Sequence, residues 1–470
     1  MVGTAYRFPK GTTYVRFAGD IGRVHCVKGS ETDQKQKVKR HHNNGGKRKM
    51  KKSVSFVMAA LMAASLATTG SMTVLADGDV TITVFNSKTE VESQLEEAAA
   101  EYSEEKGVNV EIYYSNDPVT AHMATRYASN DPYTLNMVDA KDIYSLAEEH
   151  AVDLSDQDWV KDTTQAISVN DKVYGFPVCV EARGIIYNAD AIKNITGEDF
   201  DPSKYQTLDS FKELLDQLVA GGMESPTGIM KEDWSLAAHY LGQVFEEQED
   251  TDAYLAQLQA GEGDLINNEK FNSLMDTFDV LMEYNYAKDS AIAAEREVTE
   301  QKLAEGEIAF MFGGNWDWSV INAYDYTENM GMMPVPQNTE DGTNTKLVGG
   351  GSKFFFIDNS DATSDEQRQA AKDFLNWLVY DEAGQDLIVN KCGLIPAYSN
   401  ITLPVADPLG ASVKEYADAD MLIPNYNYMP DDEYPMLGAS MQKYLAGQID
   451  RAGFASEIEA YWKTATLVEH

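Results

Sequence analysis

The sequence predicts an α/β protein. Three observations lead there: strand-like and helix-like stretches alternate along most of the chain, 470 residues at 43% hydrophobic composition supply material for two cored domains, and aromatic residues gather where expected strands end. "DVTITVF" puts Val80, Ile82 and Val84 on one face of a strand. "VESQLEEAAAEYSEEKG" repeats apolar positions at Leu95, Ala99 and Tyr102, the spacing of a helix, and stops at Gly107; "VNVEIYY" alternates again. Such βαβ succession implies a sheet with helices on both faces. Further on, "TLDSFKELLDQLVAGG" presents Leu214, Leu215 and Leu218 on one face and ends at Gly221. Ser364 and Gln367 form a capping-box pair that opens "SDEQRQAAKDFLNWLVY". Asp341-Gly342, between "MMPVP" and "KLVGGG", reads as a hairpin or tight turn.

The first 76 residues differ from the rest. They hold 14 of the 38 Lys and Arg but only 3 of the 76 Asp and Glu, leaving 24 basic against 73 acidic side chains in the remainder, a net of −49. From Met50, "MKKSVSFVMAALMAASLATTGSMTVLADGDV" has two lysines, an apolar stretch over 54–67, and small residues Val74 and Ala76 before Asp77. That is the three-part layout of a secretory signal, residues 50–76, cleaved after Ala76. Thr68, Thr69, Gly70 and Ser71 interrupt the run short of the ~20 apolar residues of a membrane span. "GGKRKM" is what a translated purine-rich ribosome-binding site would encode, so Met50 is expected to be the initiator and residues 1–49 a start-site artefact. The protein is therefore expected to be exported, periplasmic or extracellular, and no Cys follows the apolar run to carry a lipid. Cys179 and Cys392 remain after cleavage; one bridge between them is an alternative to the expected pair of free, buried thiols.

So negative a chain repels nucleic acid and anionic membrane surfaces. His122, His150, His239 and His470 fall in no metal-binding spacing, and neither a GxSxG elbow nor a Walker loop is present, so neither metal nor cofactor is expected. Paired carboxylates would suit a glycosidase, but in so acidic a sequence close Asp and Glu pairs arise by chance. A secreted glycosidase stays as the alternative of a different class.

Aromatic placement is more informative. Trp316 and Trp318 in "GNWDWSVINAY" follow the apolar run "EIAFMF" and a Gly313-Gly314 turn, at the carboxyl end of a strand, where ligands of open α/β sheets bind and where a helix is expected to begin. Together "VNDKVYGFPVCVEARGIIYNADAI", "LAEGEIAFMFGGNWDWSVINAY", "AAKDFLNWLVYDEAGQDLIVNKCGLIPAYSNI" and the two leading strands resemble the family 1 extracellular solute-binding proteins of ABC transporters, of the maltose/maltodextrin-binding type. The resemblance runs from about Asp79 to the last helix.

That resemblance implies a two-lobe, periplasmic-binding-protein-like fold with a hinge of crossing segments and an interlobe ligand cleft. Lobe 1 is expected over 77–183 and 351–403, lobe 2 over 184–350 and 404–470, with crossings near 180–183, 349–352 and 403–409. Trp316 matches the family's sugar-stacking indole. Half of a ring of about 200 Å² buried on a pyranose face at about 25 cal/mol/Å² gives on the order of 2.5 kcal/mol. Trp318, two residues on, faces elsewhere and is expected in the core. Trp234 in "KEDWSLAAHYLGQ" matches another cleft aromatic, with packing as its alternative role. Tyr434, with Tyr426 and Tyr428 sharing the position, supplies a further platform from "NYNYMPDDEYPM". Polar partners are expected from Asn86 and Ser87, from Asp139 and Lys141, and from Glu181. Maltose-specific relatives carry a tryptophan and an Asp-Arg pair where this chain has Val138, Asp139, Lys141 and Asp142, which argues against maltose itself. The implied function is capture of an oligosaccharide and its delivery to the permease subunits of an ABC importer by a monomer held at the cell surface through that transporter. A same-fold receptor for a polyamine or a metal ion is the alternative within binding proteins.

Overall fold

The structure, a computed structural model, describes residues 80–115, 119–430 and 432–467, together with the short paired strands Tyr6–Arg7 and Thr13–Tyr14 of a separate N-terminal unit. The signal at 50–76 and, those four residues apart, the segment 1–49 lie outside the described residues.

Ile82 and Val84 point into the core from β1 (Thr81–Phe85) while Thr81 and Thr83 are half-exposed, the alternation a half-buried strand requires. β1 lies between β2 (Asn109–Tyr113) and β3 (Leu135–Asp139), and all three are parallel. The crossover helix Glu92–Lys106 buries Leu95, Ala98, Ala99 and Tyr102 and ends at Gly107, whose φ of 70° gives the left-handed cap. β4 (Ile167–Val169) turns into β5 (Lys172–Asn188) through Asn170 and Asp171, both at positive φ, as a two-residue hairpin turn demands. Later come β6 (Thr227–Gly228), β7 (Phe310–Gly314), β8 (Met330–Met333), β9 (Leu347–Ile357) and β10 (Leu422–Pro424). They complete a ten-stranded sheet in the order β2-β1-β3-β9-β5-β7-β6, with β4 and β8 paired to β5 and β10 to β9.

β5 and β9 are shared between two packing regions. At one end Lys353–Ile357 of β9 pairs with β3; at the other, residues 183–188 of β5 pair with β7 and β8. Between these regions residues 180–183 of β5 run antiparallel to 348–351 of β9, so two of the expected crossing segments lie side by side. Gly350 sits there at φ 151°, in register with Glu181, a backbone state that L side chains rarely adopt. The stretch 401–406 has no regular structure, and the helix Pro408–Asp418 follows.

Burial follows the strand period. Phe354 and Phe356 of β9 join Val138 and Ile143 on one face, while Phe355 and Ile357 join Met137 and Phe374 on the other. A separate core holds Phe211, Leu214, Tyr240, Phe278, Phe310 and Trp462. Ser364 and Gln367 form the expected capping box. Asp341-Gly342 is a tight turn, with the Asp341 carboxylate accepting the Thr343 N–H at 3.1 Å, but it is no hairpin, because β8 and β9 each pair with β5 and not with one another. Among the described residues both thiols are free: Cys179 is buried, Cys392 only half-buried.

Candidate functional site

The crossing strands floor a cavity of about 380 Å³. Seven of the ten residues expected at a ligand site line it: Trp234, Trp316, Glu181, Asp139, Lys141, Tyr426 and Tyr434. Each is delivered by the end of an element. Asp139 closes β3 and opens the helix Ala140–His150, where its N–H is received by the Asp142 carboxylate at 3.2 Å and its own carboxylate is ion-paired with Lys353. Glu181 breaks the nearly continuous burial of β5 and accepts a hydrogen bond from Lys88 Nζ at 2.8 Å.

The two indoles are held in one assembly. After β7 the chain makes a 3-10 turn, Asn315–Asp317, and the Trp316 ring folds back over Gly314 so closely that a Cβ there would stand 2.2 Å from the ring. Only glycine leaves that space. Trp234 precedes a widened π-helical stretch, Ser235–Leu241, which brings His239 between the tryptophans: its ring centroid is 5.2 Å from Trp234 and 5.0 Å from Trp316. Burial, with Arg183 and Arg296 nearby, keeps the His239 imidazole well below its ordinary pKa, so the ring is a neutral spacer. Arg296 stacks over Trp234 at 4.5 Å and donates to Asp317 at 3.2 Å. Asp317 in turn accepts the Gly314 N–H at 2.9 Å, so one guanidinium ties both indole-bearing turns.

Beneath lies a charged floor that the sequence reading did not single out. Arg183 donates to the Glu246 carboxylate, to Asn425 Oδ1 at 2.7 Å and to the His239 carbonyl at 3.1 Å, and Glu246 also accepts the Tyr426 N–H at 3.0 Å. Glu433, buried beside this pair, has one carboxyl oxygen with no hydrogen-bond partner among the described residues. Burial and the Glu246 charge push its pKa up from 4.5 to about 8. The native state thus holds a proton that the unfolded chain has released above pH 4.5, and stability from this group falls as pH rises toward 8. Urea midpoints measured from pH 5 to 8 are expected to decline more for the wild type than for Glu433→Gln; parallel profiles would contradict this.

Three expected residues lie outside the cavity lining. Asn86 is fully buried, and its side-chain oxygen accepts the Lys88 N–H at 2.8 Å, shaping the turn that sends Lys88 to Glu181. Ser87 follows it in that turn with its hydroxyl buried. Tyr428 turns away to pack on Tyr144, ring centroids 4.5 Å apart. Trp318, expected in the core, is only half-buried at its edge. Its strand-end turn passes into the short helix Trp318–Ile321, which buries Ile321 and leaves the indole at the surface side.

The fold is that of the two-lobe periplasmic binding proteins, with the cavity seated on the crossing strands. Residues 97–422 match the profile of the bacterial extracellular solute-binding proteins, and the chain belongs to that family. Among solved structures it is similar to RafE of Streptococcus pneumoniae in complex with raffinose, at 21% identity and a TM-score of 0.64 over 82% of this chain and 99% of that one. It is also similar to the binding protein MsmE of Bacillus subtilis in an open conformation, at 19% identity and TM-score 0.65 over 82% and 97%. A sugar transporter protein of Bacillus licheniformis in complex with stachyose matches at 21% identity and TM-score 0.59 over 82% and 99%. No curated protein matches the chain by sequence.

Proposed function

We propose that the protein captures an oligosaccharide in the cleft between lobes spanning 77–183 with 351–403 and 184–350 with 404–470, closes on it, and delivers it chemically unchanged to the permease of an ABC importer. It acts as an exported monomer, after removal of the signal at 50–76. The observation that carries the reading is the Trp234–His239–Trp316 assembly lining one cavity with Glu181, Asp139 and Lys141. Indole faces suit the C–H face of a sugar ring, and carboxylates accept two hydroxyl hydrogen bonds at once. Raffinose and stachyose, held by proteins of the same fold, support the ligand class. A bridging ligand makes contacts to both lobes that only the closed state provides, and that difference drives closure.

Calorimetric titration with raffinose, stachyose and maltooligosaccharides tests this, with melting followed in parallel. Binding, a raised melting temperature and recovery of intact sugar are expected; ligand at about 100 times Kd adds about 2.7 kcal/mol. Shortened sugar would indicate a hydrolase, and silence across the panel would defeat the carbohydrate reading. Within the cleft, Asp139→Ala is expected to weaken binding less than Glu181→Ala. The Asp139 side chain is 44% exposed and engaged by Lys353, whereas Glu181 is 16% exposed and fixed by Lys88. The reverse ranking would place the ligand against the β3 side.

A further inference from the structure

We infer that the cleft continues past Trp316 into a second ligand chamber, in which Trp318 and Tyr326 wall a subsite for additional saccharide units. This rests on the carbohydrate reading and extends it to ligand length.

A second cavity of about 500 Å³ is lined by Trp318, Asn322 and Tyr326 together with Lys88, Gln94 and Asn390. Trp316 and Glu181 line both cavities, so the two share a wall. Each volume falls within the range of small-molecule pockets, about 300–1,000 Å³. The chemistry of the first chamber recurs in the second. Trp318 meets Tyr326 edge to face at 4.9 Å, and Tyr326 is 42% exposed, a large aromatic surface left facing solvent. Around it stand the amides of Asn322, Gln94 and Asn390 and the Lys88–Glu181 ion pair, donors and acceptors of the kind that vicinal hydroxyls satisfy. Glu181 and Trp316 border both spaces, so the second chamber adjoins the place where a sugar ring held at Trp316 would continue into its next units.

The test is calorimetric titration of the full chain with raffinose and stachyose, which differ by one sugar unit, and with maltotriose and maltohexaose. Trp318→Ala and Tyr326→Ala are compared with the wild type, melting curves confirming that each variant folds. Tyr326→Ala removes an exposed ring and guards against a folding defect in the other variant. Both are expected to lose about tenfold in affinity for the longer member of whichever pair binds, with the shorter changed less than about twofold. Equal losses for short and long sugars, or none, in a protein whose wild type binds them would overturn the second chamber and leave the proposed function standing. A wild type that binds none of the four would overturn both.

Discussion

Trp316→Ala is expected to weaken oligosaccharide binding at least tenfold while leaving melting in the absence of sugar nearly unchanged. The indole is half-buried, lines both cavities, and rests on the backbone of Gly314 instead of filling a core. Burying about half of the ring's surface, one face, contributes on the order of 2.5 kcal/mol, and tenfold in affinity is about 1.4 kcal/mol, so the loss exceeds tenfold even if a shorter side chain keeps part of the contact. Gly314→Ala offers an independent check. Its methyl would stand where the ring now lies, 2.2 Å from the indole, and would tilt the platform without removing it. It is expected to lower affinity as well, by less. Calorimetry and thermal melting on both variants decide the matter: a change confined to melting would make Trp316 a packing residue.

The place of Trp316 at a strand end was legible in the sequence because its signals are local. An apolar run, two glycines and a tryptophan in order specify a strand, a close-approach turn and a ring at the strand end. The helix faces of 92–106 and 208–220 were legible for the same reason, since 3.6-residue spacing needs no partner to be seen. The charged floor was not. Arg183 is conspicuous as a cation inside the apolar run of β5, but nothing in "VFEEQED" distinguishes Glu246 from Glu247 or Glu249; only the winding of the helix and the depth of the cleft select it. Glu433 is likewise one of a run of acids until burial isolates it. The side that Tyr428 faces depends on Tyr144, more than 280 residues earlier, a contact no local period encodes. Trp318 was misplaced because the argument that it cannot share the face of Trp316 says where the ring is not, leaving core and second cavity equally open.

Arg183→Ala is expected to be the most destabilising single change at the cleft, by about 3–5 kcal/mol. The side chains of Arg183 and Glu246 are only 7% and 5% exposed, so water screens little of their interaction. Removing the guanidinium strips the counter-ion from Glu246 and leaves the His239 carbonyl and the Asn425 amide oxygen without their donor. The position matters as much as the charge. Arg183 pairs in register with Val348, where the two crossing strands adjoin, so the loss falls where both packing regions are anchored. Glu246→Ala is expected to cost a similar amount, because it strands the cation in turn. Replacing both residues with Met should cost less than either single change, since desolvating two ions offsets much of their attraction and apolar side chains of similar volume need no partner. Urea denaturation of the two single variants and the double variant decides this ranking. A loss under about 1 kcal/mol for Arg183→Ala would match a solvated surface pair and would contradict the buried one argued from this geometry.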